Sequence, residues 1–428
     1  MTAFLAAWVL ACVCLSAQET FSQDVKERRR VPRTLAKQGS SAIPQLEKLL
    51  ADPDLEVRVE SVKALVEIGT QHSLAPLVQA TRDADPEIQI RATDGLVNFY
   101  LPGYVRTGLS ATLRRAGGRL AARFTDTNDQ VIDPWMEIRP DVGAALGRLA
   151  RGGSAPESRA NAARAAGILR ARPAVPDLLE AIRSKDTQVI YESLVAFQKI
   201  GDRSVAPRLE FLLRISDERI QVAALETAGL LYNLEALPVL RSVLSRTNNR
   251  RVRRAALTAI AMLPDPGNRP VLLPYLQDRD NELRAAAAEG LGRIKDPSDV
   301  AALERRYEEE GNNLARLSAA FALVSCGKHE VSEFSPFQYV VNSLNNASRA
   351  SAARALLTEL ARDARLRGLL HQALRQGTRD EKVGLLQVLA ASGDAESLRA
   401  MEPLARDPDL TVASEAVRAM RALRARLP

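Results

Sequence analysis

Apolar residues recur along this chain at helical spacing, in short blocks separated by polar turns. In the first block Ile43, Leu46, Leu49 and Leu50 fall on one face of a helix. Asp52-Pro53-Asp54 interrupts that helix, and Asp54 is placed to cap a second one. Val57, Val62, Leu65 and Ile68 share one face of this second helix, and Gly69 can supply a left-handed stop. The block predicts two helices joined by a tight turn.

The pair then repeats. Ala42-Ile43-Pro44-Gln45-Leu46 returns as Ala174-Val175-Pro176-Asp177-Leu178, as Val205-Ala206-Pro207, as Ala236-Leu237-Pro238-Val239-Leu240 and as Arg269-Pro270-Val271-Leu272. Pro176, Pro207 and Pro238 are spaced by 31 residues, and Pro270 follows after 32. A fixed period of this length predicts a solenoid, in which each unit buries its apolar face only against its neighbours. Eleven units are read, at 42–71, 73–101, 141–172, 174–203, 204–234, 235–266, 267–297, 299–328, 330–363, 364–394 and 395–428. The ninth is the least regular, with Phe334, Phe337 and Tyr339 assigned to its first helix. The charged stretch within 18–40 is expected to cap one end of the stack, and Arg418, Arg421, Arg424 and Arg426 the other.

These blocks resemble the HEAT-like repeats of the phycobilisome-lyase type. The residues that carry the resemblance are Asp52-Pro53 followed by Val57-Arg58, and the run from Asp278 to Ala287 containing Leu283-Arg284. It covers most of 42–428 outside 102–140. It implies an all-α, right-handed superhelix, and a ladder of turn aspartates and second-helix arginines, here Asp52 with Arg58 and Asp278 with Arg284. That ladder is a structural feature and not a catalytic one.

Composition agrees with close helix packing. Hydrophobic residues make up 46 % of the chain but aromatics only 4 %, so alanine and leucine fill the apolar positions. The net charge is +7, carried by 50 arginines against nine lysines. A basic balance admits nucleic acid, so its arrangement matters. With the second helices lined up on their arginine, which Gln89, Ile190 and Gln221 replace in three units, the outward position five residues on runs Lys63, Asp94, Arg164, Val195, Glu226, Thr258, Glu289, Phe321. A phosphate-tracking stripe would keep one sign there, and this series does not, which argues against nucleic acid. The middle of the surface is less polar, with Ala224, Leu230 and Met262, and its ends carry Lys63, Glu67, Glu289 and Arg293. An apolar centre inside a charged rim suits a protein or peptide partner. Packing against neighbouring helices is the competing reading of the same residues.

No catalytic constellation is visible, and no cofactor is expected. The di-iron hydroxylases of similar architecture use several His-Glu pairs. This chain has one, His329-Glu330, and its other histidines, His72 and His371, lack a following glutamate.

Residues 102–140 break the period, and an insertion in a solenoid maps to one face. Within the insert, Tyr104, Phe124 and Trp135 are candidate anchors for a partner. The Arg/Leu segment 104–124 is amphipathic, so a peripheral membrane or envelope adaptor touching anionic lipid is the alternative function. Gly117-Gly118 weakens that helix. Asp126, Asn128, Gln130 and Glu137 match some places of a calcium loop, but Val131 replaces its glycine and Asp133 its apolar residue, so a capped turn is expected.

The first residues resemble a secretory signal, with an apolar run from Phe4 to Leu15 and a small-residue site at Ser16-Ala17. Met1-Thr2-Ala3 lacks the usual basic residue. Cleavage near Ala17, lipidation at Cys12 and a buried first helix are the alternatives. The domain reading is 1–17 signal, 18–101 cap and repeats 1–2, 102–140 insert, and 141–428 repeats 3–11. The expected protein is exported to the periplasm or cell exterior, and monomeric. Cys326 is then the one cysteine left.

Overall fold

The computed structural model describes residues 24–104, 130–133 and 135–427. The expected signal segment, Phe124, the Arg/Leu run beyond Tyr104 and the first half of the calcium-like loop lie outside these residues. Among the described residues the structure is all-helical, and eleven helix pairs follow one another as the period predicts. No described helix is long and apolar enough to cross a membrane.

Each pair is built by the same local chemistry. Pro44, Pro176, Pro238 and Pro270 occupy the first turn of a first helix, where a missing N–H costs nothing. The turn between the helices ends on Asp54, Asp186, Asp217, Asn249, Asp280 or Asn312, whose side chains accept from the free N–H groups of the second helix. Gly69 closes the first of these with φ 58°, a left-handed stop that glycine takes without strain. Repeat 5 differs. Its first helix, Arg203–Arg214, is a run of 3-10 turns with Pro207 five residues inside the Asp202 cap. Pro176, Pro238 and Pro270 stand equally far from the caps of the 3-10 turns before them, but there the winding changes to α one residue ahead of the proline.

Second helices pack on second helices more extensively than first helices on first helices, so the second helices form the inner face. Glycine permits the closest approaches. A Cβ on Gly167, Gly229 or Gly292 would lie 2.8, 2.9 and 2.6 Å from the Cα of Ala196, Ala259 and Ala322 in the next second helix. The core is one continuous apolar seam from Leu35 to Leu423, mostly alanine and leucine.

The ends and the insert are tied to the stack by charge. Arg28, Arg29 and Arg33 pair with Asp52, Asp54 and Glu60 of repeat 1. The Asp54–Arg29 bond, at 2.7 Å, holds the Asp54 carboxyl down at about 2. A depressed carboxylate stabilises the fold above its unfolded value and loses that contribution as pH falls through the folded one. Thermal unfolding between pH 5 and 2 should show native protein losing more than Arg29→Ala, so that the gap between them closes on acidification.

The return of the insert runs along one rim. Ile132 is buried and its N–H bonds Ile168 O at 2.9 Å, while Lys199 Nζ donates to Gln130 O at 3.2 Å. Tyr104 packs against the core, and Tyr100 Oη accepts from Arg139 N at 3.0 Å. Asp133 meets Arg418 of the last repeat, Nη2 to Oδ1 3.2 Å, across 285 residues of sequence.

Phe334 departs from the sequence reading. The first helix of repeat 9 begins at Pro336, and Phe334 stands before it, 84 % exposed. Phe337 is the aromatic side chain buried there, because Pro336 sets the first turn after the Ser335 cap.

Candidate functional site on the inner face

Two rows of polar contacts run along the stack. The first lies at the turns. Arg58 donates to Asp83 of the next repeat at 2.8 and 3.3 Å, and also to the carbonyls of Asp52 and Pro53 in its own turn. Arg284 does the same with Glu310 at 2.7 Å and with the carbonyls of Asp278 and Arg279. Asp52 receives Arg28 at 2.8 Å, and the Asp278 carboxylate accepts from Asp280 N. The expected pairs Asp52/Arg58 and Asp278/Arg284 are therefore joined through main-chain oxygen, and each arginine reaches forward to the next repeat's acid.

The second row lies on the inner face itself. Asp94 accepts from Asn161 of the next repeat at 3.0 Å, Arg164 donates to Glu192 at 2.7 and 3.2 Å, and Glu289 accepts from Ser318 at 2.8 Å. Arg33 and Lys63 both serve Glu60. In the Asp94, Arg164 and Glu289 contacts the residue five beyond the ladder position of one repeat meets the residue two beyond it in the next. Repeats 5, 6 and 7 carry Ala223, Ala255 and Ala286 in that receiving place, and the row stops.

Glu226 falls in the gap. It is exposed and makes no hydrogen bond or ion pair among the described residues. Burial among the walls of the inner face pushes its carboxyl above the usual glutamate range, and no cation offsets this. The side chain is open to solvent, yet the protein around it still removes part of its hydration. One turn on, Leu230 is 46 % exposed. Met262 lies half-buried over Gly229, its sulfur 3.0 Å from where a Cβ there would stand. Thr258 is half-buried beside it.

The candidate residues thus separate into two groups. Asp94, Arg164 and Glu289 are spent on neighbouring repeats and Lys63 on Glu60 of its own helix, so none is free for a partner. Arg164 is a correction to its outward placement, since only 5 % of it is exposed. Val195 and Phe321 are also buried, because the glycine and alanine contacts bring the next helix over them. Arg293 is held by Glu289, Glu359 and the Ala261 carbonyl. Glu226, Leu230 and Met262 remain available together. Trp135 is half-buried on the rim, away from them in the chain's path. His329 bonds the Val324 carbonyl and His371 bonds Ser397, and no three metal-ligating side chains converge among the described residues.

Stacked helix pairs joined by inter-repeat ladders define an α-solenoid. A family model described as HEAT repeats matches residues 16–97, 175–261 and 237–324, more than half the chain, and the chain belongs to that family. Among solved structures it is similar to an engineered protein at 19 % identity, covering 89 % of this chain and 98 % of that one, with a TM-score of 0.37. It is similar to the YibA protein of E. coli at 17 % identity, covering 71 % and 99 %, with a TM-score of 0.40. It is also similar to the CpcE–CpcF phycocyanin lyase complex of Nostoc sp. PCC7120 at 20 % identity, covering 68 % and 90 %, with a TM-score of 0.30. None of the curated proteins matches the chain in sequence.

Proposed function

We propose that this protein is a non-enzymatic scaffold, working outside the cytoplasm, that holds a protein or peptide partner on its inner face at repeats 5 and 6. One observation carries the reading. The polar row that closes the inner face elsewhere lapses at Ala223, Ala255 and Ala286, and leaves Leu230 exposed with Met262 beside it. Other large apolar residues are exposed as well, among them Phe211, Leu234 and Phe334, but Leu230 stands one turn from Glu226, where the polar row lapses. An apolar centre bounded by charged, committed side chains is the composition of a recognition patch. The elongated surface of a repeat stack suits an extended or helical segment better than a small molecule.

A photo-cross-linking residue at Met262, compared with one at the exposed Glu210 on a first helix, tests this in intact cells. The expected result is a discrete protein adduct from Met262 alone, in the compartment outside the cytoplasm. Adducts formed equally from both positions, or from neither, would remove the inner-face reading.

A further inference from the structure

Every other charged residue in Glu226's place along the stack has a partner among the described residues. Lys63 pairs with Glu60, Asp94 with Asn161, Arg164 with Glu192, and Glu289 with Ser318. Glu359 pairs with Arg293 and Arg418 with Asp133. Glu226 alone has been given none, and the residue that should meet it is Ala255.

A single carboxylate of this kind calls for a cation, and the surroundings decide which. A metal ion would need several oxygen or nitrogen ligands, and no group of three metal-ligating side chains forms among the described residues. The flanking groups are the aliphatic Leu230 and the thioether Met262. A lysine or arginine side chain matches both features at once, with an apolar stem and a charged tip. Among the described residues Glu226 is the one unpaired acid on this stretch, so it can receive a single basic residue and not a run of them.

We infer that the inner face at repeats 5 and 6 recognises one lysine or arginine set among aliphatic residues in an extended segment of a partner protein, with Glu226 receiving the charge and Leu230 and Met262 receiving the stem. The inference rests on the scaffold reading and narrows it. The half-desolvated state of the Glu226 carboxyl fits, since a carboxylate that has already lost water gives up less on meeting a cation. It also sets a signature. A carboxyl raised by burial penalises the fold as pH rises through its folded value, so Glu226→Gln should leave the protein at least as stable at pH 7 while removing the recognition.

The probe is an array of immobilised decapeptides of valine, alanine and serine with one central Lys, Arg, Gln or Glu, read with the full chain. Native protein should favour Lys and Arg centres over Gln by about tenfold, the scale of one charge-assisted contact. E226Q should lose that preference with an unchanged or higher melting temperature, and E226K should move it to Glu centres. Equal binding of all four centres would overturn the inference and leave the scaffold standing. An E226Q profile identical to native would overturn it as well. Absence of binding by any peptide also overturns it, and the Met262 cross-link then decides the scaffold reading separately.

Discussion

Arg164→Ala is expected to destabilise repeats 3 and 4 by about 3–5 kcal/mol, because it strands Glu192 in the interior. The Arg164 and Glu192 side chains are 4 % and 2 % exposed and are joined by two hydrogen bonds. Gln188 adds a third, Nε2 to Glu192 Oε1 at 2.7 Å. Burial of two charges is tolerable only while each satisfies the other. Replacing both at once, Arg164→Met with Glu192→Leu, should therefore recover most of the loss, since an apolar pair of similar size brings no stranded charge. Stacked repeats unfold in segments, so hydrogen exchange across 156–200 is a sharper readout than one global midpoint. A double variant as unstable as Arg164→Ala would show that the pair itself, and not the penalty of separating it, stabilises the stack.

Gly292→Ala is expected to destabilise by about 1–3 kcal/mol, although alanine is the better helix former. The added carbon would stand 2.6 Å from Ala322 Cα and 2.9 Å from its Cβ, and a main chain cannot step aside as a long side chain can. Gly368 gives the control. It lies inside the helix Ala364–Gln376, and a Cβ there meets nothing within 4 Å. Gly368→Ala should stabilise by up to about 1 kcal/mol. Urea unfolding of the two variants should move in opposite directions. Movement in the same direction would mean that the gap between the second helices of repeats 7 and 8 is wider than the native packing implies.

The fold was legible because period, proline placement and turn aspartates agree with one another in nearly every unit. Repeat 5 was less legible, since Pro207 keeps the place the other prolines hold and nothing in its spacing marks the 3-10 winding around it. The site was only half visible. Reading one column, from Lys63 to Phe321, located Glu226, Leu230 and Met262, but it treated Arg164, Val195 and Phe321 as equally outward. Their burial comes from the next helix, which one column does not contain. A second column was present in the sequence, running Glu60, Arg91, Asn161, Glu192, Ala223, Ala255, Ala286, Ser318. Set beside the first, it separates paired charges from the one left over. The forward reach of Arg58 to Asp83 and of Arg284 to Glu310 likewise depends on how far one repeat is translated along the stack, which spacing within a repeat does not reveal.

The contact between Asp133 and Arg418 changes the mechanics of the whole coil. A linear stack behaves as an open spring, each coil knowing only its neighbours. One bond from the rim of the early repeats to the last helix makes it a clasped spring. Both side chains are largely exposed, at 36 % and 58 %, and such a pair contributes no more than about 1 kcal/mol. A clasp of that strength opens with thermal motion and loosens further in salt. The separation of the early rim from the last repeat is therefore set jointly by the glycine contacts that fix each step and by a weak catch at the far end.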